Sequence, residues 1–321
     1  MSSGKNTRPR VKPRPIMLSK RANVFYLEHV RVILKNDRIV YLTQDRGNVE
    51  RYFNVPERNT AFLLLGKGSS ITDAAMRRLA ESNVIVGFCG SGGSPLFGAL
   101  DMAFIAPQSE YRPTEYMQAW IRMWLDEKQR IDMGRQLLLA RKKLTTQSWR
   151  DNPDMVKRGI VIPETLIENS SREIQAAQDT QTMLLAEARW ARALYALLAQ
   201  GFRVDFSRRE GEGKSGSFAE IANRFLDHGN YIAYGYAAVA LCGLGISFSL
   251  PILHGKTRRG ALVFDIADLI KDAYVMPLAF TCAKRGDNQS DFRNTLIECF
   301  QGEEVLDFLF SFIQSLCKKS A

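Results

Sequence analysis

Hydrophobic and polar residues alternate along the first third of the chain, which is the pattern of half-buried β-strands. In VRVILKNDRIVYLT, residues 30–43, apolar residues recur at every second position on both sides of the pair Asn36-Asp37. Asn and Asp tolerate the left-handed backbone of a tight turn, so this stretch predicts a β-hairpin. Glycines interrupt or end two more apolar runs, TAFLLLGKGSS and NVIVGFCGSGGSPLFGAL. We therefore expect a β-rich N-terminal domain.

Helical spacing, with apolar residues every three or four positions, dominates after the polar segment that Pro107 and Pro113 bracket. In the first third this spacing occurs once, in ITDAAMRRLAES, which predicts a single helix capped by Ser70 or Thr72. A charged, glycine-rich stretch, residues 205–217, interrupts the helical part. The pattern predicts a two-domain α+β protein with three parts: a disordered basic arm over residues 1–15, a β-rich domain over 16–106 and an all-α domain over 107–321.

The charge of the chain favours a polyanionic partner. The 321 residues carry a formal net charge of +10 with a pI near 9.4, and clustered Lys and Arg gain affinity by releasing counterions from phosphate backbones. The five cysteines are scattered, odd in number and form no CxxC pair, which indicates thiols in a reducing compartment. No apolar run reaches the roughly 18 residues that a membrane helix needs. We expect a soluble, cytoplasmic protein that binds nucleic acid.

Two glycine-containing loops superficially resemble nucleotide-binding loops. The GKT triplet at Gly255 lacks the glycine that a Walker loop requires five residues earlier, where Leu250 stands. The pair Gly66-Lys67-Gly68 follows a predicted strand, but Ile71 occupies the position of the third glycine of a dinucleotide loop. Both loops are better explained as structural turns.

Glu187 is the first residue whose position indicates chemistry. It lies on the apolar stripe of the helix predicted over TQTMLLAEARWARALYALLAQ, so its carboxylate points inward. Burying a charge without a partner costs several kcal/mol. Glu187 therefore needs either a metal ion or an inward-pointing arginine.

His254, Asp265 and Asp268 form a second candidate group. The two aspartates are three positions apart, which places both carboxylates on one face of a helix. Asp265 could instead be a helix N-cap, with Asp268 favoured by the helix dipole, and a lone histidine is usually structural. Together, however, one imidazole and two or three carboxylates suit Mg²⁺ or Mn²⁺. Such ions activate a hydroxyl in phosphodiester chemistry, and the nearby basic loop of Lys256, Arg258 and Arg259 could neutralise phosphates.

The other two histidines favour structural roles. His29 lies in a predicted strand, and His228 lies on a predicted helix beside Gly229. Neither has a nucleophile at a suitable spacing, so the sequence does not support a Ser-His-Asp triad.

The chain resembles the integrase subunit of CRISPR adaptation, the enzyme that inserts new spacers into a CRISPR array. The resemblance covers about residues 17–312. SKRANVFYLEHVRV and PQSEYRPTEYMQ further resemble its type I-F branch. The residues that carry the resemblance are Glu187 in EARWARALY; Asn223, Leu226 and the pair Tyr234-Gly235 in NRFLDHGNYIAYG; His254; and Asp265 and Asp268 in FDIADLIK.

The resemblance implies an N-terminal β-domain that forms homodimers and an α-helical catalytic domain. It implies that two dimers are bridged by a small ferredoxin-like partner, which in the I-F branch is fused to a helicase-nuclease. By position, the implied metal ligands are Glu187, His254 and Asp268, with Asp265 as an accessory carboxylate. The implied DNA contacts are Tyr234 near the DNA end, Lys256 and Lys271, with Arg258 and Arg259 in the same basic loop.

The implied reaction is a metal-dependent transesterification, in which a 3′-hydroxyl of the incoming DNA attacks a phosphodiester at the repeat boundary. Two alternatives remain open. The same site could act as an endonuclease on branched DNA with water as the nucleophile. The chain could also be a non-catalytic DNA-binding scaffold, if Glu187 only pairs with an arginine and Asp265 only caps a helix.

Overall fold

The structure is a computed structural model that describes most of the chain. The described residues are 23–44, 50–82, 84–88, 103–105, 114–209, 216–255 and 260–318. The basic arm over residues 1–15, the Pro107–Pro113 segment and the basic loop with Lys256, Arg258 and Arg259 lie outside them.

The described part of the N-terminal region consists of strands and one helix. Its strands are β1 (Asn23–Leu27), β2 (Val30–Lys35), β3 (Arg38–Gln44), β4 (Glu50–Asn54), β5 (Thr60–Leu65), β6 (Ser70–Ile71), β7 (Ile85–Phe88) and β8 (Ala103–Ile105), and its helix is α1 (Asp73–Glu81). One sheet has the order β4-β3-β2-β6, with β2 parallel to β6 and the other pairs antiparallel. The other has the order β1-β5-β7-β8, with only β8 antiparallel.

Two local predictions in this region are confirmed. Strands β2 and β3 form the expected hairpin, and both turn residues adopt positive φ angles, 50° at Asn36 and 60° at Asp37. Helix α1 is capped by Thr72, whose side chain accepts a hydrogen bond from the backbone N–H of Ala75 at 3.3 Å. Of the two caps that the sequence predicted, Ser70 and Thr72, the structure shows Thr72.

Strand β5 has both faces buried, which explains its uninterrupted apolar sequence. Leu63 and Leu65 pack into the core of the β-region. Phe62 and Leu64, on the opposite face, belong to the core that the helices form. The β-region is therefore packed against the helical region in large part through this strand.

The helical region follows in eleven described segments: α2 (Thr114–Leu125), α3 (Glu127–Asp151), α4 (Pro153–Lys157), α5 (Glu164–Ala176), α6 (Thr180–Phe202), α7 (Phe218–Gly243), α8 (Ala261–Ile270), a π-helical turn (Lys271–Val275), α9 (Met276–Arg285), α10 (Gln289–Gly302) and α11 (Val305–Lys318). The centre of this region is α7, which is buried over most of its circumference, as expected for a helix surrounded by others. It packs against α8, the π-helical turn, α9, α10 and α11.

Among the described helices, none combines the length and the hydrophobicity that a membrane-spanning helix requires.

Close packing around α7 leads to a first prediction. A Cβ atom at Gly229 would lie 2.5 Å from Cγ1 of Val275 and 3.1 Å from Cζ of Phe292. We expect Gly229→Ala to lower the free energy of unfolding by about 1–3 kcal/mol, because the added methyl group overpacks the core. Urea denaturation measures this. Gly302→Ala is the matched control, since nothing lies within 4 Å of a Cβ there; equal unfolding midpoints for the two variants would contradict the prediction.

Candidate functional site

The structure brings together the three residues expected to bind a metal ion. Glu187 comes from α6, His254 from the segment before α8, and Asp268 from α8 itself. One ligand atom from each of the three side chains lies within 4.8 Å of the other two. Residues separated by 67 and 14 positions along the chain therefore form one cluster.

Asp265 orients the imidazole of His254. Its fully buried carboxylate accepts hydrogen bonds from the backbone N–H groups of Ile252, Leu253 and His254, with N···O distances of 2.6, 3.1 and 3.1 Å. Its Oδ1 is also 2.7 Å from Nδ1 of the His254 ring. When Nδ1 donates to Asp265, Nε2 is left as the free ligand atom, and it lies 3.9 Å from Oδ2 of Asp268.

The alternative that Asp265 caps the helix is wrong. Helix α8 begins at Ala261, after Gly260 in the left-handed conformation at φ 75°. Asp265 and Asp268 thus lie inside the helix, and Asp265 instead fixes the backbone that leads to His254.

Arg141, on α3, connects the cluster to a further carboxylate. Its Nη1 is 2.5 Å from Oε1 of Glu187 and 3.6 Å from Oδ2 of Asp268. Its Nε and Nη2 donate to the carboxylate of Asp272 at 2.6 and 3.0 Å. The inward arginine that the sequence left open as a partner for Glu187 therefore exists, and it lies beside the histidine and Asp268.

Asp272 is held in place by two tryptophans. It is fully buried in the π-helical turn. Trp190 Nε1 donates to its Oδ2 at 3.2 Å, and Trp149 Nε1 donates to its backbone carbonyl at 2.8 Å. Its orientation fixes that of Arg141 in turn.

Lys271 lies at the cluster rather than on an open surface. Its side chain is 17% exposed and its ammonium group pairs with Oδ1 of Asp268. The same ammonium lies 5.2 Å from the ring centroid of Tyr234, which packs edge-on against Phe264 at 4.8 Å. Tyr234 and Lys271, both predicted to contact DNA, are therefore neighbours of the candidate metal ligand.

The two candidate carboxylate ligands have different proton affinities. Burial would raise the pKa of Asp268, but the charges of Lys271, Arg141 and His254 outweigh it and lower the pKa to about 2. Burial dominates at Glu187 and raises its pKa despite the nearby Arg141. For His254, burial would lower the pKa, but the hydrogen bond to Asp265 and the surrounding carboxylates raise it.

The donor set fits a divalent cation. One imidazole and two carboxylates suit Mg²⁺ or Mn²⁺. Ligand atoms that share an ion at about 2.1 Å are separated by at most about 4.2 Å, so small side-chain rotations suffice to close the 4.8 Å spread. The ion would compete with Arg141 and Lys271 for the same carboxylates.

The predictions for the two remaining histidines have different outcomes. The strand position predicted for His29 is wrong, because β1 and β2 belong to different sheets and the chain turns between them, with His29 at φ 52°. His228 is buried in α7, where Nδ1 is 3.2 Å from Nε2 of Gln289 and burial lowers its pKa to about 4. These contacts support a structural role for His228.

The sequence interpretation missed Arg141 and Asp272. Arg141 follows Leu137 and precedes Thr145 and Trp149 at four-residue spacing, and all four side chains are buried. The helical-stripe argument that singled out Glu187 would also have found Arg141. No local pattern identifies Asp272 as its partner, 131 positions away.

The chain has close relatives among known proteins. The family model described as "CRISPR associated protein Cas1" matches residues 25–311. The CRISPR-associated endonuclease Cas1 of Pseudomonas aeruginosa is 45% identical over 314 residues, covering 95% of this chain and 95% of that protein. The CRISPR-associated endonuclease Cas1 of Pectobacterium atrosepticum is 41% identical over 315 residues, covering 95% of this chain and 94% of that protein.

Solved structures share the architecture at lower sequence identity. A Cas1 protein from Thermotoga maritima matches with a TM-score of 0.68 and 14% identity, over 92% of this chain and 96% of that one. A casposase bound to an integration product matches with a TM-score of 0.69 and 14% identity, over 92% of this chain and 90% of that one. These likenesses confirm the predicted fold class, a β-rich region followed by a helical one.

The contacts of Arg141 lead to a second prediction. Arg141→Met leaves the buried carboxylate of Asp272 without its cation, so we expect the free energy of unfolding to fall by about 3–5 kcal/mol. Adding Asp272→Asn removes the orphaned charge and should recover at least half of the loss. Guanidinium denaturation in the presence of a metal chelator measures both variants. If the loss of unfolding free energy in the double variant equals the sum of the losses in the two single variants, Arg141 and Asp272 are not energetically coupled and the prediction is refuted.

Proposed function

Because the chain belongs to the CRISPR-associated protein Cas1 family, we propose that it is a divalent-metal-dependent DNA integrase that inserts spacer DNA into a CRISPR repeat array. The Pseudomonas and Pectobacterium relatives, both named CRISPR-associated endonuclease Cas1, agree with the family that the sequence resembles. The observation that carries the proposal is the cluster of Glu187, His254 and Asp268, whose ligand atoms lie within 4.8 Å of one another.

The side chains in and around the cluster divide three tasks among them in this proposal. Glu187, His254 and Asp268 would hold Mg²⁺ or Mn²⁺, which when bound neutralises charge on the phosphoryl group and favours the ionised form of the attacking hydroxyl. Asp265 keeps the His254 ring in the tautomer that presents Nε2. Lys271, which pairs with Asp268, would donate to a phosphate oxygen.

The proposal that DNA is the substrate rests on the net charge of the chain and on the names of its relatives. The net charge of +10 favours a phosphate polyanion, and the Pseudomonas and Pectobacterium relatives are named endonucleases. We propose that Tyr234 holds the DNA end beside Asp268, and that Lys256, Arg258 and Arg259 contact the backbone with Lys271. Two homodimers, bridged by a small ferredoxin-like protein that is fused to a helicase-nuclease, complete the proposed assembly.

Two alternatives have specific support. A metal-dependent endonuclease acting on branched DNA would use the same three ligands with water as the nucleophile, and the names of the relatives favour cleavage. A non-catalytic DNA-binding scaffold is favoured by the pairing of Glu187 with Arg141. Both alternatives are separated from the integrase by the experiments below.

The first experiment tests whether the cluster is catalytic. With Mn²⁺ and the partner present, His254→Ala should lower the joining of labelled DNA into a repeat-bearing plasmid by at least about 100-fold, because loss of a group that merely supports a metal ligand already costs about 10- to 100-fold. DNA affinity should change less than about twofold, since phosphate contacts dominate it. His29→Asn is the matched control, since Asn tolerates its left-handed backbone. Full joining by His254→Ala would exclude the catalytic site and favour the scaffold.

The second experiment separates joining from cleavage. Both reactions attack the same phosphodiester, and they differ in which oxygen is held in line with it. DNA with free 3′-hydroxyl ends should yield joined, branched products, and 3′-dideoxy ends should yield none. Tyr234→Ala should reduce joining more than the hydrolysis of a preformed branch, while Tyr234→Phe should retain most of the joining. If dideoxy ends change nothing and only cleaved strands accumulate, the chain is an endonuclease.

A further inference from the structure

A basic cleft lies at the C-terminal end of α6, the helix that carries Glu187. Its volume is about 730 Å³, and the ends of α4, α6 and α9 meet there. Lys157, Arg158, Arg203 and Lys284 line it, and none of the described lining residues is acidic. Hereafter these four residues define the basic cleft.

The charges of the basic cleft are not neutralised by neighbouring carboxylates. Within the described ranges, none of its four side chains forms an ion pair, although cations elsewhere on the surface do, such as Arg189 with Glu173 and Arg285 with Asp287. Lys157, Arg203 and Lys284 are exposed. Positive charge is therefore concentrated at one place and left available to a ligand.

Helix dipoles do not account for this concentration of charge. Cations are favoured at helix C-termini, and three such ends meet at the cleft. Each end carries about −0.5 elementary charge, so the three together offset less than half of the four positive charges. An excess of about 2.5 positive charges remains for an anionic ligand.

The walls of the basic cleft are held in fixed positions. The guanidinium of Arg158 stacks on the buried Phe202 ring at 4.0 Å from its centroid. Gly201 lets the chain pass close to Ile160, where an added Cβ would lie 2.2 Å from Cγ1. Arg203 ends α6 in the left-handed conformation at φ 55°. The backbone of the cleft and the Arg158 guanidinium therefore have little freedom to lose when a ligand binds.

Two packed helical paths link the basic cleft to the candidate metal ligands. Arg203 follows Glu187 by sixteen positions along α6, and Lys284 follows Asp268 by sixteen positions along α8, the π-helical turn and α9. Sixteen residues of helix span about 24 Å. Successive phosphates of one strand advance about 3.4 Å along the axis of duplex DNA, so a duplex bound at both places extends over about seven base pairs.

We propose that the basic cleft is a second phosphodiester-binding site, which holds the backbone of the DNA whose reacting phosphodiester lies at Glu187, His254 and Asp268. The inference rests on the proposed action on DNA. It assigns a position about seven base pairs along the duplex from the reacting bond, and it needs no base-specific contact.

The test compares two charge-reversal variants on two DNA lengths. Arg203→Glu/Lys284→Glu changes the basic cleft, and Lys128→Glu/Lys318→Glu makes the same change in net charge at exposed positions outside it. Fluorescence anisotropy measures the affinity for duplexes of about 24 and about 6 base pairs over a series of salt concentrations; the shorter one cannot span both places.

For the long duplex, we expect the cleft variant to lose at least about tenfold in affinity and to reduce the magnitude of the log-log salt slope by about 2. For the short duplex, both variants should bind within about twofold of the unmodified protein. Equal affinities of the cleft and control variants for the long duplex would overturn the proposal. A cleft variant that loses affinity only for inorganic tripolyphosphate would identify a small-anion site and would also overturn it.

The binding experiment, combined with the joining assay described above, distinguishes this inference from the proposed function. If the unmodified protein binds the long duplex through the cleft but neither joins nor cuts DNA with Mn²⁺, the proposed function is wrong and the DNA-binding role of the cleft is supported. If the unmodified protein joins DNA while the cleft variant binds it as the control variant does, the DNA-binding role of the cleft is wrong and the proposed function is supported.

Discussion

The guanidinium of Arg141 lies among three carboxylates from different parts of the chain, and the arrangement of the site depends on it. Without this cation, Glu187, Asp268 and Asp272 would repel one another in a medium of low dielectric constant. Two hydrogen bonds fix the guanidinium on Asp272, which Trp190 also holds, and its remaining Nη1 faces the other two carboxylates. One side chain thus joins α3, α6, α8 and the π-helical turn, and the same side chain sets the charge that an incoming ion meets.

Under the proposed function, this charge balance makes ion binding an exchange. The carboxylates of Glu187 and Asp268 already have cationic partners in Arg141 and Lys271. A divalent ion gains two carboxylates and an imidazole only by weakening these charge-assisted hydrogen bonds. Its net affinity is therefore the difference between the free energy of binding the three ligands and the free energy lost from the contacts of Arg141 and Lys271. Lys271 would then be available to a phosphate oxygen, while Arg141 would keep its bidentate contact with Asp272.

Local patterns were sufficient for much of the fold and for part of the site. The Asn36-Asp37 hairpin and the cap of α1 depend on neighbouring residues, and the inward direction of Glu187 follows from helical spacing. The roles of Asp265 and Arg141 could not be predicted in this way, because they depend on where α8 begins and on a partner far along the chain. A helical periodicity relates residues one or two turns apart, so it cannot predict which buried charges pair over long distances in the sequence.

The π-helical turn between α8 and α9 adds one residue to an otherwise continuous helix. A π-helical turn contains about one residue more than an α-helical turn, so the helices on its two sides keep the mutual orientation that an uninterrupted α-helix would give them. The extra residue lies within Lys271–Val275, the stretch that carries Asp272. Loss of one residue there would restore an α-helix and leave α8 and α9 in place, but the side chains of the turn would face a different side of the helix. The turn therefore sets the direction of Asp272 toward Arg141 without changing the packing of α9.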